Sequence, residues 1–292
     1  MIKDRPSKTA LRVARRRAAH QLLDQPVVFD DPLALRMAGI AEVDALRNDP
    51  REGHPVARTL RAFLAARSRF AEEYLGRAVQ RGTAQYVILG AGLDTFAYRH
   101  PYASVLTVFE VDYPATQTWK RGRLADAGIV IPPSVRYVAV DFERETALDG
   151  LAAAGFDADA PAFFSWLGVT VYLSELSVLS TLESIAGLAP GSGIAFDYAI
   201  DPAAVSERAR RAVEVVAARA AAAGEPWTLF FDPAQLGTRL RGWVLRPSRT
   251  WMTRQSMCAT SRAGPTVCAS AAWAIWLMPR RSRRLTPIIR RI

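Results

Sequence analysis

Cysteine and histidine are scarce, with two of the former and three of the latter in 292 residues. Cys258 and Cys268 have no second pair and no neighbouring histidine, so neither a zinc site nor a disulfide framework has support. His20, His54 and His100 are too scattered along the chain for a metal cluster. Long apolar runs are missing as well. No stretch approaches the length of a membrane span, and residues 1–20 hold no continuous apolar segment of signal-peptide length. These absences lead to the expectation of a soluble, cytoplasmic protein with no bound metal.

Acid is absent beyond Asp232, although the chain carries 28 aspartates and glutamates. Residues 243–292 contain ten arginines, no lysine and no acid. Residues 1–242 therefore hold 28 basic and 28 acidic side chains, and the formal net charge of +10 belongs to the tail. No nucleic-acid partner is expected for the neutral body. The tail also gathers four of the seven tryptophans and both cysteines, and its longest apolar piece, ASAAWAIWLM, is too short for a bilayer. Such a tail suits RNA, DNA or anionic lipid. The composition favours an alternative, a shifted reading frame in a GC-rich gene, because the body is rich in arginine and alanine and poor in lysine.

Half of the chain is apolar, enough for the core of one large α/β domain. Residues 1–80 read as helical. Leu11, Ala14, Ala18 and Leu22 recur at helical spacing; Asp31 and Pro32 offer an N-cap and first helical residue; a third helix from Pro55 ends near Gly82. From there strands alternate with helices: QYVILG, SVLTVFEVD, VRYVAVDF, PAFFSWLG and GSGIAFDYA are the strands. Leu176, Leu179, Leu182 and Ile185 mark one face of an intervening helix, a long helix lies within 201–224, and a short one starts at Asp232. This order predicts a Rossmann-like, doubly wound and mostly parallel sheet under a helical N-terminal cap. The expected division is a cap at 1–80, a core at 81–242 with a lid helix at 201–224, and an aberrant basic tail at 243–292.

The first strand stops at Gly90-Ala91-Gly92, where glycine allows a sharp turn and the approach of a ligand. A tight turn without a ligand explains that motif equally well. The next strand ends in Asp112, twenty residues after Gly92, at the position from which a carboxylate reaches ribose hydroxyls. The third ends in Asp141-Phe142, suited to an adenine amino group and ring face, although Asp141 also fits a helix N-cap. A dinucleotide fingerprint requires glycine where Thr95 stands, and no GKS or GKT follows for a P-loop.

GAGLDT together with FEVDYPATQTWK resembles the class I S-adenosylmethionine-dependent methyltransferases. Within that class the chain is similar to the leucine carboxyl methyltransferase and polyketide O-methyltransferase superfamily, and to its actinobacterial group. The likeness extends from SKTALRVARRRAAH through ARSRFAEE and FFSWLGVTVYLSE to GEPWTLFFDPAQL, nearly everything up to residue 240. The resemblance implies S-adenosyl-L-methionine as cofactor. It sets Gly90 and Gly92 against the methionine part, Asp112 on the ribose, Asp141 and Phe142 on the adenine, and Arg67 on the cofactor carboxylate. Arg69 is a neighbouring alternative to Arg67. Arg17 is a further candidate, with a solvated face charge as its other reading. Two departures stand out: Leu167 occupies a position where relatives often have glutamate, and the closing strands are expected to be disrupted after Gly242.

Methyl transfer from a sulfonium needs positioning of the acceptor and exclusion of water, so no catalytic triad is expected. A carboxylate acceptor needs no base, and a hydroxyl needs one. Tyr172, Tyr198 and Arg99 could orient an acceptor or serve structure alone. The leading expectation is O-methylation of a small-molecule carboxylate or hydroxyl. The alternatives are a nicotinamide-dependent oxidoreductase on a similar fold and a non-catalytic remnant. Oligomeric state has no signature in the sequence.

Overall fold

The computed structural model describes residues 7–40, 43–222, 224–244, 252–255 and 271–277. The cap comprises α1 (Lys8–Leu23), α2 (Ala34–Ala38), α3 (Val43–Arg47), α4 (Pro50–Gly53) and the long α5 (Pro55–Gln80). The core then alternates: β1 (Gln85–Leu89), β2 (Thr107–Asp112), α6 (Pro114–Asp126), β3 (Val135–Ala139), α7 (Ala147–Ala153), β4 (Ala162–Trp166), α8 (Glu175–Ala186) and β5 (Gly193–Ala199). After it come α9 (Glu207–Ala221), α10 (Pro233–Val244), β6 (Met252–Gln255) and β7 (Ala271–Leu277).

Strands β1 to β5 are parallel, and the sheet order is β3-β2-β1-β4-β5-β7-β6. Every residue of β1, β4 and β5 is buried, as strands covered on both faces require. Successive side chains point to opposite faces. Val87, Leu89, Val111, Trp166 and Phe196 join one core cluster with Leu151 of α7 and Leu182 of α8. Tyr86, Ile88, Val108, Phe163 and Ala195 join another with Ala71, Leu75 and Ala78 of α5. In α8 the buried face is Val178, Leu182 and Ile185, whereas Leu176, about half a turn from Val178, lies on the opposite face and is exposed.

The expected disruption of the closing strands is not what the structure contains. β7 pairs antiparallel with β5 along its whole length, from Gly193↔Leu277 to Ala199↔Ala271, and β6 pairs with β7. Ladder hydrogen bonds are made by main-chain groups, so an altered composition does not prevent pairing in segments free of proline. Trp243, at the point where the composition changes, still lies in α10 and packs against the core.

Charge ties the cap down. Arg61 of α5 pairs with Asp24 at 3.0 Å and with Glu52 at 2.9 Å, and Glu52 also takes Arg16 of α1 at 3.0 Å. At the other end of α1, Glu225 accepts from the Lys8 and Thr9 N–H groups at 3.0 and 3.1 Å. A carboxylate at the positive end of a helix, satisfying two otherwise orphaned donors, holds α1 over the sheet. Asp31 was expected to cap α2. Leu33 takes the N-cap position instead, Asp31 Oδ1 accepts from the Leu33 N–H just before the helix, and Asp31 Oδ2 pairs with Arg17 of α1.

Among the described residues, no helix is long and apolar enough to cross a membrane. Nor do three His, Cys, Asp or Glu side chains among them form a group that could hold a metal ion.

Candidate functional site: the chamber beyond the strand ends

β1 lies between β2 and β4, where the chain direction across the sheet reverses, and a ligand crevice forms at such a point beyond the strand ends. Here a cavity of about 810 Å³ opens between the loops after β1 to β5 and the helices α1, α5 and α9. Arg67, Gly90, Gly92, Asp112 and Phe142 all line it, although they come from four separate places in the chain.

Gly90 has φ +67°, and a Cβ there would run into Val169 Cγ2. Gly92 has φ +46°, with Ala10 of α1 at 3.3 Å from where its Cβ would lie. Both conformations favour glycine, and the bare main chain forms part of the wall. Asp112 is buried and holds this bend: Oδ2 accepts from the Gly92 N–H at 2.5 Å and Oδ1 from the Tyr113 N–H at 2.7 Å. Burial pushes its carboxyl above the usual range, against the pull of those two N–H groups and Lys120. An ionised carboxylate has about four acceptor positions, so capacity remains for a ligand hydroxyl. Phe142 packs beside Trp166 at 5.9 Å between ring centroids.

Asp141 does not line the cavity. Its Oδ1 accepts from the Glu143 N–H at 3.1 Å within a turn, and it is not a helix N-cap either, since Thr146 caps α7. Arg69 is also outside, half exposed and paired with Glu73 at 2.7 Å. Arg17 lines the cavity and is 6% exposed, so it is not a solvated face charge. Tyr172 and Tyr198 line the cavity too, whereas Arg99 lies behind the glycine loop.

The loop after Gly92 is locked by a buried polar network in which Thr95 is central. The Thr95 hydroxyl donates to Asp31 Oδ2 at 2.7 Å and accepts from Arg99 Nε at 3.0 Å and Arg17 Nη2 at 3.2 Å. Arg17 also pairs with Asp31 at 2.9 Å and Asp94 at 2.7 Å, and Arg99 pairs with Glu72 of α5. Burial opposes ionisation of Asp94, yet Arg17, Lys120, Arg99 and the Phe96 N–H hold its carboxyl far below the usual range. The position where a dinucleotide fingerprint has glycine is thus filled by a hydroxyl that three charged groups use.

Reading the sequence missed Asp31, Glu72, Asp94 and Asp197 as parts of this site. A signal existed for Asp197: an acid in the middle of the apolar run GIAFDYA is rare unless it is paired. The same signal marks Glu110 in TVFEVD, whose buried carboxylate pairs with Lys120 at 2.8 Å and accepts from Tyr98 Oη at 2.9 Å. That pair fixes α6 against β2 and sets a positive charge near Asp112.

Among the described residues six carboxylates line the cavity, and each already has a donor. Asp49 takes Arg51, Glu52 takes Arg16 and Arg61, Glu72 takes Arg99, Asp94 takes Arg17, Asp112 takes two backbone N–H groups, and Asp197 takes Arg67. None of the three histidines lines it. Burial pushes the Tyr198 phenol up to about 12, with Asp232 adding to the effect, and burial also raises Tyr172, whose hydroxyl accepts from Trp227 Nε1.

Comparison with known proteins gives a consistent answer. The family model for leucine carboxyl methyltransferase matches residues 10–186. An inferred S-adenosyl-L-methionine-dependent methyltransferase of Bacillus subtilis, YktD, is 36% identical over 249 residues, covering 77% of this chain and 82% of that protein. A Mycobacterium marinum protein of the same inferred kind is 36% identical over 208 residues, covering 68% of each. Among solved structures, a methyltransferase-like protein of Thermobifida fusca superposes with a TM-score of 0.55 over 96% of this chain and 97% of its own, at 19% identity. A DUF574 family protein of Streptomyces avermitilis gives 0.53 over 91% and 97%, at 17% identity. The latter two share the fold.

Proposed function

Because the chain belongs to the leucine carboxyl methyltransferase family and is an S-adenosyl-L-methionine-dependent methyltransferase, we propose that it methylates an oxygen of a small molecule, and that this oxygen is a carboxylate's. The residues present fit the cofactor. Gly90 and Gly92 leave main chain bare for the methionine part, Asp112 retains acceptor capacity for ribose hydroxyls, and Phe142 offers a ring to adenine. Arg67 is buried and its Nε has no hydrogen-bond partner among the described residues, an orphan donor suited to the cofactor carboxylate. Asp141 reaches the adenine in this reading only by turning from its present bond to Glu143.

S-adenosyl-L-methionine supplies a methyl group already activated on a sulfonium. The chain's own residues then have three tasks: to hold the acceptor in line, to exclude water, and to take up a proton if the acceptor carries one. Helices α1, α5 and α9 close the chamber and serve the second task. For the third, no lining group among the described residues stands ready. Each lining carboxylate already accepts from a guanidinium or a main-chain N–H, whatever acceptor positions it keeps; the histidines lie elsewhere, and burial keeps the three lining tyrosines, Tyr86, Tyr172 and Tyr198, neutral at ordinary pH, with no phenolate to accept a proton. This observation carries the choice of acceptor, since a carboxylate arrives without a proton to lose. The exposed Arg12, Arg15 and Arg219 at the rim give an anion a favourable approach. Neutralising the acceptor by esterification removes that attraction and assists release.

In this reading residues 1–80 are the cap, 81–242 the cofactor-binding core, 201–224 the lid, and 243–292 a basic tail that lends two strands to the sheet. Incubation with S-adenosyl-L-methionine labelled in the methyl group and a mixed pool of small carboxylic acids and alcohols tests the choice. Label released as methanol by mild alkali identifies an ester and is the expected result. Label that survives alkali marks an ether and overturns the carboxylate assignment.

A further inference from the structure

Two side chains of opposite charge meet at the inner wall of the chamber, and so far only Arg67 has a task. Its Nη1 donates to Asp197 Oδ2 at 2.6 Å, while the Gly168 N–H donates to Asp197 Oδ1 at 2.5 Å. Thr170 Oγ1 donates to the Asp197 carbonyl at 2.7 Å, so main chain and side chain are both fixed here. Helix α5 and strand β5 bring the pair together from 130 residues apart, and both members line the cavity.

The pair has unused capacity of both signs. Each carboxylate oxygen of Asp197 has one donor, about half of what an ionised carboxylate accepts, and Arg67 keeps its Nε without a partner. Acceptor and donor positions thus stand on one wall, on two side chains joined by the 2.6 Å bond from Arg67 Nη1 to Asp197 Oδ2. Gly168 makes room for this arrangement. It has φ +73°, and a Cβ there would approach Arg67 Nη1 to 2.8 Å. The neighbouring Leu167 brings only hydrocarbon to the cavity, so Asp197 is the carboxylate available at this wall. An ion pair that served packing alone would gain nothing from opening onto a ligand chamber.

Building on the methyltransferase reading, we propose that Asp197 binds the α-ammonium of the cofactor's amino-acid end while Arg67 takes its α-carboxylate. An ammonium brings three donors and no acceptor, and a carboxylate brings acceptors alone, so the pair matches a zwitterion charge for charge. When no ligand is present the two side chains satisfy each other, and neither is left as a bare buried charge.

The test compares S-adenosylhomocysteine with its deaminated analogue, 4-(5′-adenosylthio)butanoate, which lacks only the α-ammonium. 5′-Methylthioadenosine, which lacks the whole amino-acid end, reports on the adenosine part. Calorimetric titration of the full chain is expected to give a preference of about tenfold or more for S-adenosylhomocysteine over the deaminated analogue. In Asp197→Asn that preference disappears while 5′-methylthioadenosine binds as before, and Asp197→Glu, which keeps the charge, retains part of it. A purely structural role would weaken all three ligands together. Equal binding of the two larger ligands by the unaltered chain, or an undiminished preference in Asp197→Asn, overturns the proposal. Failure of the unaltered chain to bind any adenosyl ligand would overturn the methyltransferase reading itself, a result easily told apart from the others.

Discussion

Replacing Asp112 by alanine is expected to lower the affinity for S-adenosylhomocysteine by about a hundredfold or more, as two charge-assisted hydrogen bonds to ribose are lost at once. A second loss compounds the first. Asp112 Oδ2 accepts from the Gly92 N–H at 2.5 Å, so the same carboxylate that faces the ligand also holds the glycine bend in place. Asp112→Asn keeps one oxygen and is expected to lose less. Calorimetric titration of both variants beside the unaltered chain checks this, with thermal unfolding of the ligand-free proteins as a control for folding. Unchanged uptake by Asp112→Ala would refute the ribose assignment.

Arg17→Met is expected to cost stability rather than chemistry. The guanidinium is buried between Asp31, at 2.9 Å, and Asp94, at 2.7 Å, and it also donates to Thr95. Removing one partner of a buried ion pair typically costs about 3–5 kcal/mol, because the remaining charge stays desolvated. For a chain of this size that corresponds to a fall of about 10 °C in Tm. The pH profile supplies an independent mark. Asp94 is held far below its unfolded value, so it contributes stability that is present above about pH 4 and lost as pH falls towards its folded value. Asp24 behaves likewise. Burial opposes its ionisation, but hydrogen bonds from His20 and Arg61 bring its carboxyl to about 2. Thermal melts between about pH 5 and pH 3 should therefore fall steeply for the unaltered chain and less steeply for Arg17→Met. Equal slopes would show that Arg17 does not set the Asp94 carboxyl.

Much of this was legible before any coordinates. The five parallel strands announced themselves through apolar runs too continuous for a half-exposed sheet, and Gly82 lies at the helix end where turn chemistry places it. The glycine bend and Asp112 could be read because strand-end residues in a doubly wound sheet converge whatever the loops do. The limits are equally physical. The strict three-residue spacing from Leu176 drifts off a helix of about 3.6 residues per turn, so the buried face of α8 runs through Val178, Leu182 and Ile185 and Leu176 is left exposed on the other side. Asp141 carried two readings, and a side chain that can satisfy its own turn leaves no mark in sequence to say that it does so. Asp197 and Arg67 are 130 residues apart, and no local pattern reveals that pairing. The closing strands were expected to be disrupted because the chain departs from the family pattern after Gly242, whereas main-chain pairing of β7 with β5 depends little on which side chains the strand carries.

The most direct test of the account is a crystal structure of the chain grown with S-adenosylhomocysteine. The account predicts ligand density in the chamber after β1, with the ribose hydroxyls on Asp112, the adenine against Phe142, and the amino-acid end at Arg67 and Asp197. Density for the ligand elsewhere, or a chamber closed by its own side chains in a crystal saturated with the ligand, would contradict it.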